Sequence, residues 1–185
     1  MKVVVVVGTK GPFPRLVDAV VAWAAAREGV TVWAQFAGGT LPVGAEGVVF
    51  APHAEVLAAM NGADVVVCHA GSGTIRDALK LGHVPVVVPR LAKHGEHVND
   101  HQLELVEALG ERIAGCVAVE EAAALDAAMA RALAGRALAG ELPGEALRAD
   151  LARALATVEP AARAKWVWGA LEVATWPLRG LLRKR

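Results

Sequence analysis

Hydrophobic residues in the first half of the chain fall in short, unbroken runs: VVVVV at 3–7, VTVWAQF at 30–36, GVVFA at 47–51, DVVVC at 64–68 and VPVVVP at 84–89. A shorter run, CVAV at 116–119, is a candidate sixth. Continuous rather than alternating apolar runs are expected of strands covered on both faces by helices. Segments with a helical pattern lie between them, from Pro14 to Glu28, His53 to Asn61, Thr74 to Leu81 and Asp100 to Leu109. Strand and helix in alternation predict a parallel, doubly wound α/β sheet.

The texture changes near Ala118. Ala-rich helical sequence follows, broken at LAGELPGEAL and again at Pro160, and alanine reports only good helix propensity. The pattern divides the chain into an α/β domain over 1–119 and a helical extension over 120–185. The last 25 residues, AARAKWVWGALEVATWPLRGLLRKR, are amphipathic on a helical wheel. Trp166, Val167, Ala170, Leu171, Ala174, Leu178, Leu181 and Leu182 share one broad face, with Lys165, Arg179 and Arg183 opposite. Such a helix suits an anionic membrane surface or packing on a protein. Gly and Pro interrupt the wheel and favour packing.

Composition narrows the field. The 185 residues are 55% hydrophobic and 21% charged, with a formal net charge of +0. Neutral charge gives no general attraction to nucleic acid. The N-terminal MKVVVVVGTK is too short in its apolar run, and lacks the cleavage site, for a signal peptide. No run approaches transmembrane length. Cys68 and Cys116 stand far apart without metal-ligand spacing, so a reducing cytoplasm is the simplest expected compartment.

Ligands of open parallel sheets bind outside the carboxyl ends of the strands, where the polar loops of this chain fall. Gly8 and Thr9 follow the first strand, His69 to Thr74 the fourth, and Arg90 the fifth. In VVVCHAGSGTIRDALKLG a strand ends at Cys68 and a helix starts near Thr74. Gly71 and Gly73 would let a ligand approach the backbone. The amides of Ser72, Gly73 and Thr74 would form an anion site suited to phosphate. His69 and the Ser72 and Thr74 hydroxyls could add donors, and Asp77 could accept from sugar hydroxyls. The same residues also fit a capping box from Thr74 to Asp77 with a tight turn before it, and spacing alone leaves both readings open. Neither a P-loop nor a GxGxxG fingerprint is present.

A second cluster spans Pro89 to Gly110. Asp100 and Gln102 begin an amphipathic helix and could hold vicinal hydroxyls; Asn99 and Gln102 also fit a capping box. His94, Glu96, His97 and His101 invite a metal reading, but their spacing is not HExxH and a Gly interrupts the segment. A charged loop over a ligand fits better, with no metal expected.

In this order, HAGSGTIRDAL, VPVVVPR and GEHVNDHQLEL resemble the C-terminal domain of family 28 glycosyltransferases over about Val3 to Val119. The likeness is to the single-domain subunits of two-part enzymes that build dolichol-linked or bacterial exopolysaccharide intermediates. The resemblance implies a Rossmann-like α/β sheet flanked by helices, the C-terminal half of a GT-B fold, followed here by a helical tail. It implies a UDP-sugar donor and no separate cofactor. Gly8 and Thr9 would border the nucleotide, and His69, Gly71, Ser72, Gly73 and Thr74 would hold the diphosphate. Asp77 stands where relatives usually carry a ribose-binding Glu. Arg90 would neutralise phosphate or a uronic acid, and Asp100 and Gln102 would contact the donor sugar. The acceptor site, the general base and a membrane anchor are expected on a partner subunit, at the inner face of the plasma membrane. The alternative is a non-catalytic UDP-sugar-binding or stabilising module of a transferase complex.

Overall fold

The computed structural model describes residues 1–100, 102, 103, 106 and 122–139. Five parallel strands, β1 (Lys2–Val6), β2 (Thr31–Gln35), β3 (Ala45–Val48), β4 (Val65–His69) and β5 (Val86–Val88), form one sheet in the order β3-β2-β1-β4-β5. Helices among the described residues include α1 (Pro14–Ala25), α2 (His53–Asn61), α3 (Ser72–Lys80) and α4 (Ala122–Ala139), with a 3-10 turn at Ala92–His94. This is the Rossmann-like α/β sheet that the hydrophobic runs and the resemblance implied.

Alternation within the valine runs builds two cores. Val3, Val5 and Val7 join Val65, Val67, Val86 and Val88 on one face, under α1 and α4. Val4, Val6, Val66, Cys68 and Val87 point to the other, under α2 and α3. Burial on both faces is why the strands read as unbroken apolar runs. Pro14 opens α1 at a position where its missing N–H costs nothing. Leu125, Ala128, Met129 and Ala132 bring α4 into the first core, so the helix that begins the Ala-rich segment packs with the sheet.

Three boundaries differ from the sequence reading. The third run, expected as a strand over 47–51, pairs over Ala45–Val48, and Val49 and Phe50 beyond it are 52% and 65% exposed. It is an edge strand, and Gly47 suits close pairing, because a Cβ there would stand 2.1 Å from the Ala34 carbonyl oxygen. Helix α1 stops at Ala25, short of Glu28. Helix α3 begins at Ser72 rather than Thr74, with Gly71 as its N-cap and no capping side chain. The 116–119 run and the amphipathic tail lie outside the described residues.

Candidate site at the carboxyl edge of the sheet

Parallel strands deliver their following loops to one edge, and three of these loops meet here. The first, Val7 to Phe13, leaves β1. The second, Ala70 and Gly71, joins β4 to α3. The third runs from Pro89 to Asp100 after β5.

Between the first two stands His69. Its ring lies so close to both loops that a Cβ on Gly8 would be 2.6 Å from Cε1, and one on Gly71 would be 2.2 Å from Nε2. Two glycines thus flank one imidazole, which sets the gap between the first loop and the start of α3. Nδ1 faces the Val6 carbonyl at 3.4 Å. Burial, followed by the positive charge of Arg90, pushes the His69 pKa down to about 4. The ring is therefore neutral at pH 7 and brings no full charge to an anion.

At the start of α3 the first intrahelical bond runs from the Ile75 amide to the Gly71 carbonyl, 3.1 Å. The amides of Ser72, Gly73 and Thr74, in the first turn before it, have no partner among the described residues. Gly73 is exposed, and a Cβ on it would meet nothing within 4 Å among the described residues. The two glycines therefore differ in purpose: Gly71 makes room for His69, whereas Gly73 opens onto free space. The capping box from Thr74 to Asp77 does not form, because the helix starts two residues earlier and Asp77 Oδ2 instead meets His53 Nε2 at 2.7 Å.

The first loop is held from beneath by two buried polar side chains. Gln35, 3% exposed, accepts from the Gly8 amide at 3.2 Å and donates to the carbonyls of Gly8 and Val49, both at 3.1 Å. Gly8 thus has its backbone occupied, while the amides of Thr9, Lys10 and Gly11 have no partner among the described residues. Arg90, 2% exposed, donates to the carbonyls of Pro12 (2.9 Å), Val7 (3.0 Å) and Gly11 (2.7 Å). Its guanidinium carbon lies 4.6 Å from the Phe13 ring centroid, and burial lowers its pKa. The Nη donors of Arg90, expected from the resemblance to meet phosphate or a uronic acid, point inward onto loop carbonyls in this structure.

The third loop is cross-braced. Glu96 takes Arg15 Nε on Oε1 and Nη2 on Oε2, each at 2.8 Å, and the Leu91 amide at 3.0 Å. Burial would raise the Glu96 pKa, but these bonds and the Arg15 charge bring it below the ordinary value. Arg15 also donates to the Pro89 carbonyl at 2.7 Å. Lys10 Nζ and His97 Nε2 stand 3.5 Å apart across the first and third loops. His97 is driven down by burial and then by Lys10. The tie to Arg15 commits Glu96 to the scaffold, and no group of three or more His, Cys, Asp or Glu suited to a metal ion occurs among the described residues.

Asp100 and Gln102 close the loop onto itself. Asp100 Oδ1 accepts from the Ala92 amide at 2.8 Å, and the buried Gln102 Oε1 accepts from the Arg90 amide at 2.9 Å. The Leu103 amide bonds to the Asp100 carbonyl at 2.9 Å, a helix-like turn at the expected place. The cap from Asn99 to Gln102 is displaced, because Gln102 turns to Arg90 and Asn99 Oδ1 meets His97 at 3.2 Å.

The site is thus an amide-rich rim around a neutral imidazole, at the edge where ligands of such open parallel sheets sit. The family model for the glycosyltransferase family 28 C-terminal domain matches residues 3–123. The chain belongs to this family. Two solved structures share the family 28 chain's fold. The glycosyltransferase of kitacinnamycin matches at 24% identity and a TM-score of 0.55, covering 83% of this chain and 40% of its own. CalG4, the calicheamicin glycosyltransferase, matches at 19% identity and a TM-score of 0.51, covering 94% and 44%. The chain therefore spans about two-fifths of the length of these structures. No curated protein matches significantly in sequence. Among the described residues no helix is long and apolar enough to cross a membrane.

Sequence reasoning placed the three loops but missed Gln35, Arg15 and His53. Gln35 had a legible signal, a polar residue closing the apolar run VTVWAQ just where ligand loops begin. Arg15 and His53 had none, since each partner is far away in the chain.

Proposed function

We propose that this chain is the donor-binding half of a glycosyltransferase, moving a hexose from a UDP-sugar to a lipid-linked glycan acceptor held by a partner subunit at the cytoplasmic membrane face. The observation that carries the proposal is the row of amides at Ser72, Gly73 and Thr74 that have no partner among the described residues, beside a Gly73 that none of those residues crowds.

Transfer from a nucleoside diphosphate sugar builds negative charge on the departing diphosphate. A helix N-terminus meets that charge with aligned N–H groups. The dipole contributes about 0.3–2 kcal/mol, while each oriented donor is worth about 2.7–4 kcal/mol in sites of this kind. Individual amides therefore outweigh the dipole as a whole. Thr9 and Lys10 would add donors from the first loop, with the Ser72 and Thr74 hydroxyls alongside. Asp77 would take ribose hydroxyls on the oxygen that His53 leaves open, and Asp100 Oδ2 and Gln102 Nε2 would take those of the sugar. His69 supplies neutral spacing. The donor alone satisfies this scheme, with no further cofactor. The acceptor wall and general base belong to the opposite side of the cleft, on the partner.

Calorimetry with UDP and a panel of UDP-hexoses tests the proposal. The wild-type chain should bind UDP and favour one UDP-sugar, and Gly73→Val should abolish both while leaving the circular dichroism unchanged. Unaltered binding by Gly73→Val would remove the diphosphate reading. Full-rate transfer to a lipid acceptor by this chain alone would remove the partner.

A further inference from the structure

We propose that Arg90 is a positioning residue that couples the two ends of the donor site, locking the first loop to the segment that carries Asp100 and Gln102. The inference rests on the donor-binding reading above and gives a new role to a residue that reading leaves out of contact with the ligand.

Arg90 is unusually buried for a charged side chain. An arginine only 2% exposed should have a carboxylate beside it, yet among the described residues no acidic group lies within ion-pair distance of Arg90. Glu96, the acid that acts on it electrostatically, is engaged by Arg15. Instead the charge is met by three carbonyl dipoles, those of Val7, Gly11 and Pro12, and by the face of Phe13. Nε has no partner among the described residues. A group merely filling the core could be apolar at lower cost. What the guanidinium adds is a fork of fixed donors that holds both ends of one loop at once.

That loop needs holding. Gly8 and Gly11 both take positive φ, 77° and 122°, and the amides of Thr9, Lys10 and Gly11 make no bond among the described residues that would fix them. The backbone amide of Arg90, meanwhile, is the donor to Gln102 Oε1. One residue therefore connects the turn bearing Gln102, through its own main chain, to the loop bearing Thr9 and Lys10. The Lys10 and His97 contact joins the same two loops at the rim. With Arg90 in place, ordering either loop orders the other, so nucleotide and sugar bind to one preformed unit.

The test uses the full chain with Arg90→Lys and Arg90→Met. Lysine keeps the charge but offers a point donor where the fork spans three carbonyls; methionine keeps bulk without donors. Binding of UDP is measured by calorimetry well below the melting temperature, and hydrogen exchange is followed at Thr9, Lys10 and Gly11. In a folded Arg90→Lys protein we expect UDP affinity to fall by about ten-fold, within the range of coupled sites, with faster exchange at those three amides. Arg90→Met, where it folds, should lose more. UDP affinity within two-fold of wild type in Arg90→Lys, or unchanged exchange at the loop, overturns the proposal. If the wild-type chain itself binds neither UDP nor any UDP-hexose, the donor-binding reading has failed; normal wild-type binding with an indifferent Arg90→Lys sinks the coupling alone.

Discussion

Substituting alanine at Gly71 and at Gly73, two positions apart, should have opposite effects on stability. Gly71 has φ −101° and ψ 121°, extended values that alanine adopts freely, so any cost there comes from contact. The added Cβ would stand 2.2 Å from His69 Nε2 and 2.7 Å from Cε1, well inside van der Waals distance. The ring cannot simply retreat, since the Cβ position of Gly8 is only 2.6 Å from Cε1. Overpacking of this kind costs about 1–3 kcal/mol. A Cβ at Gly73 would meet nothing within 4 Å among the described residues, and Gly73 lies in the first turn of α3. Alanine there restricts the unfolded chain and should stabilise by about 0.4–1 kcal/mol. Urea denaturation followed by circular dichroism reads both values. His69→Ala should relieve Gly71→Ala, giving a non-additive double-mutant cycle of about 0.5–3 kcal/mol. The spacing argument is refuted if Gly71→Ala is as stable as wild type, or if the two changes simply add.

The His69 imidazole has its ordinary pKa of 6.5 lowered to about 4 by burial. Above pH 6.5 both states hold it neutral; between about 6.5 and 4 only the unfolded chain takes the proton, so stability falls as the solution is acidified and levels off below. The drop should be about 3 kcal/mol, read as the difference between wild-type and His69→Asn urea midpoints across that window; matching pH profiles would count against it. Glu96→Gln weakens a charge-assisted pair on a largely buried carboxylate, 9% exposed. It should cost about 1.5–3 kcal/mol, and a thermal melt indistinguishable from wild type would show that Arg15 and Glu96 do not brace the third loop.

Sequence and structure agree best where burial repeats along the chain. A strand covered on both faces must be apolar at every position, so VVVVV and DVVVC announced β1 and β4 without any knowledge of their neighbours. The edge strand β3 was misplaced for the same reason: GVVFA is equally apolar, yet Val49 and Phe50 are exposed beyond the last pair. Hydrophobicity says what can be buried, while pairing decides what is.

The order of short motifs also determined the family and the edge of the sheet where the site lies, because parallel topology sends every strand's exit loop to one side. Tertiary structure alone decided the duties of the side chains there. Nothing local distinguishes Gly71 from Gly73, or shows that Arg90 would turn from solvent onto Val7, Gly11 and Pro12. Those duties depend on partners up to 87 residues away in the chain, brought within hydrogen-bonding reach only once the sheet has closed. Local pattern encodes which surfaces must leave water; the direction of a hydrogen bond is fixed by whatever folding places opposite it.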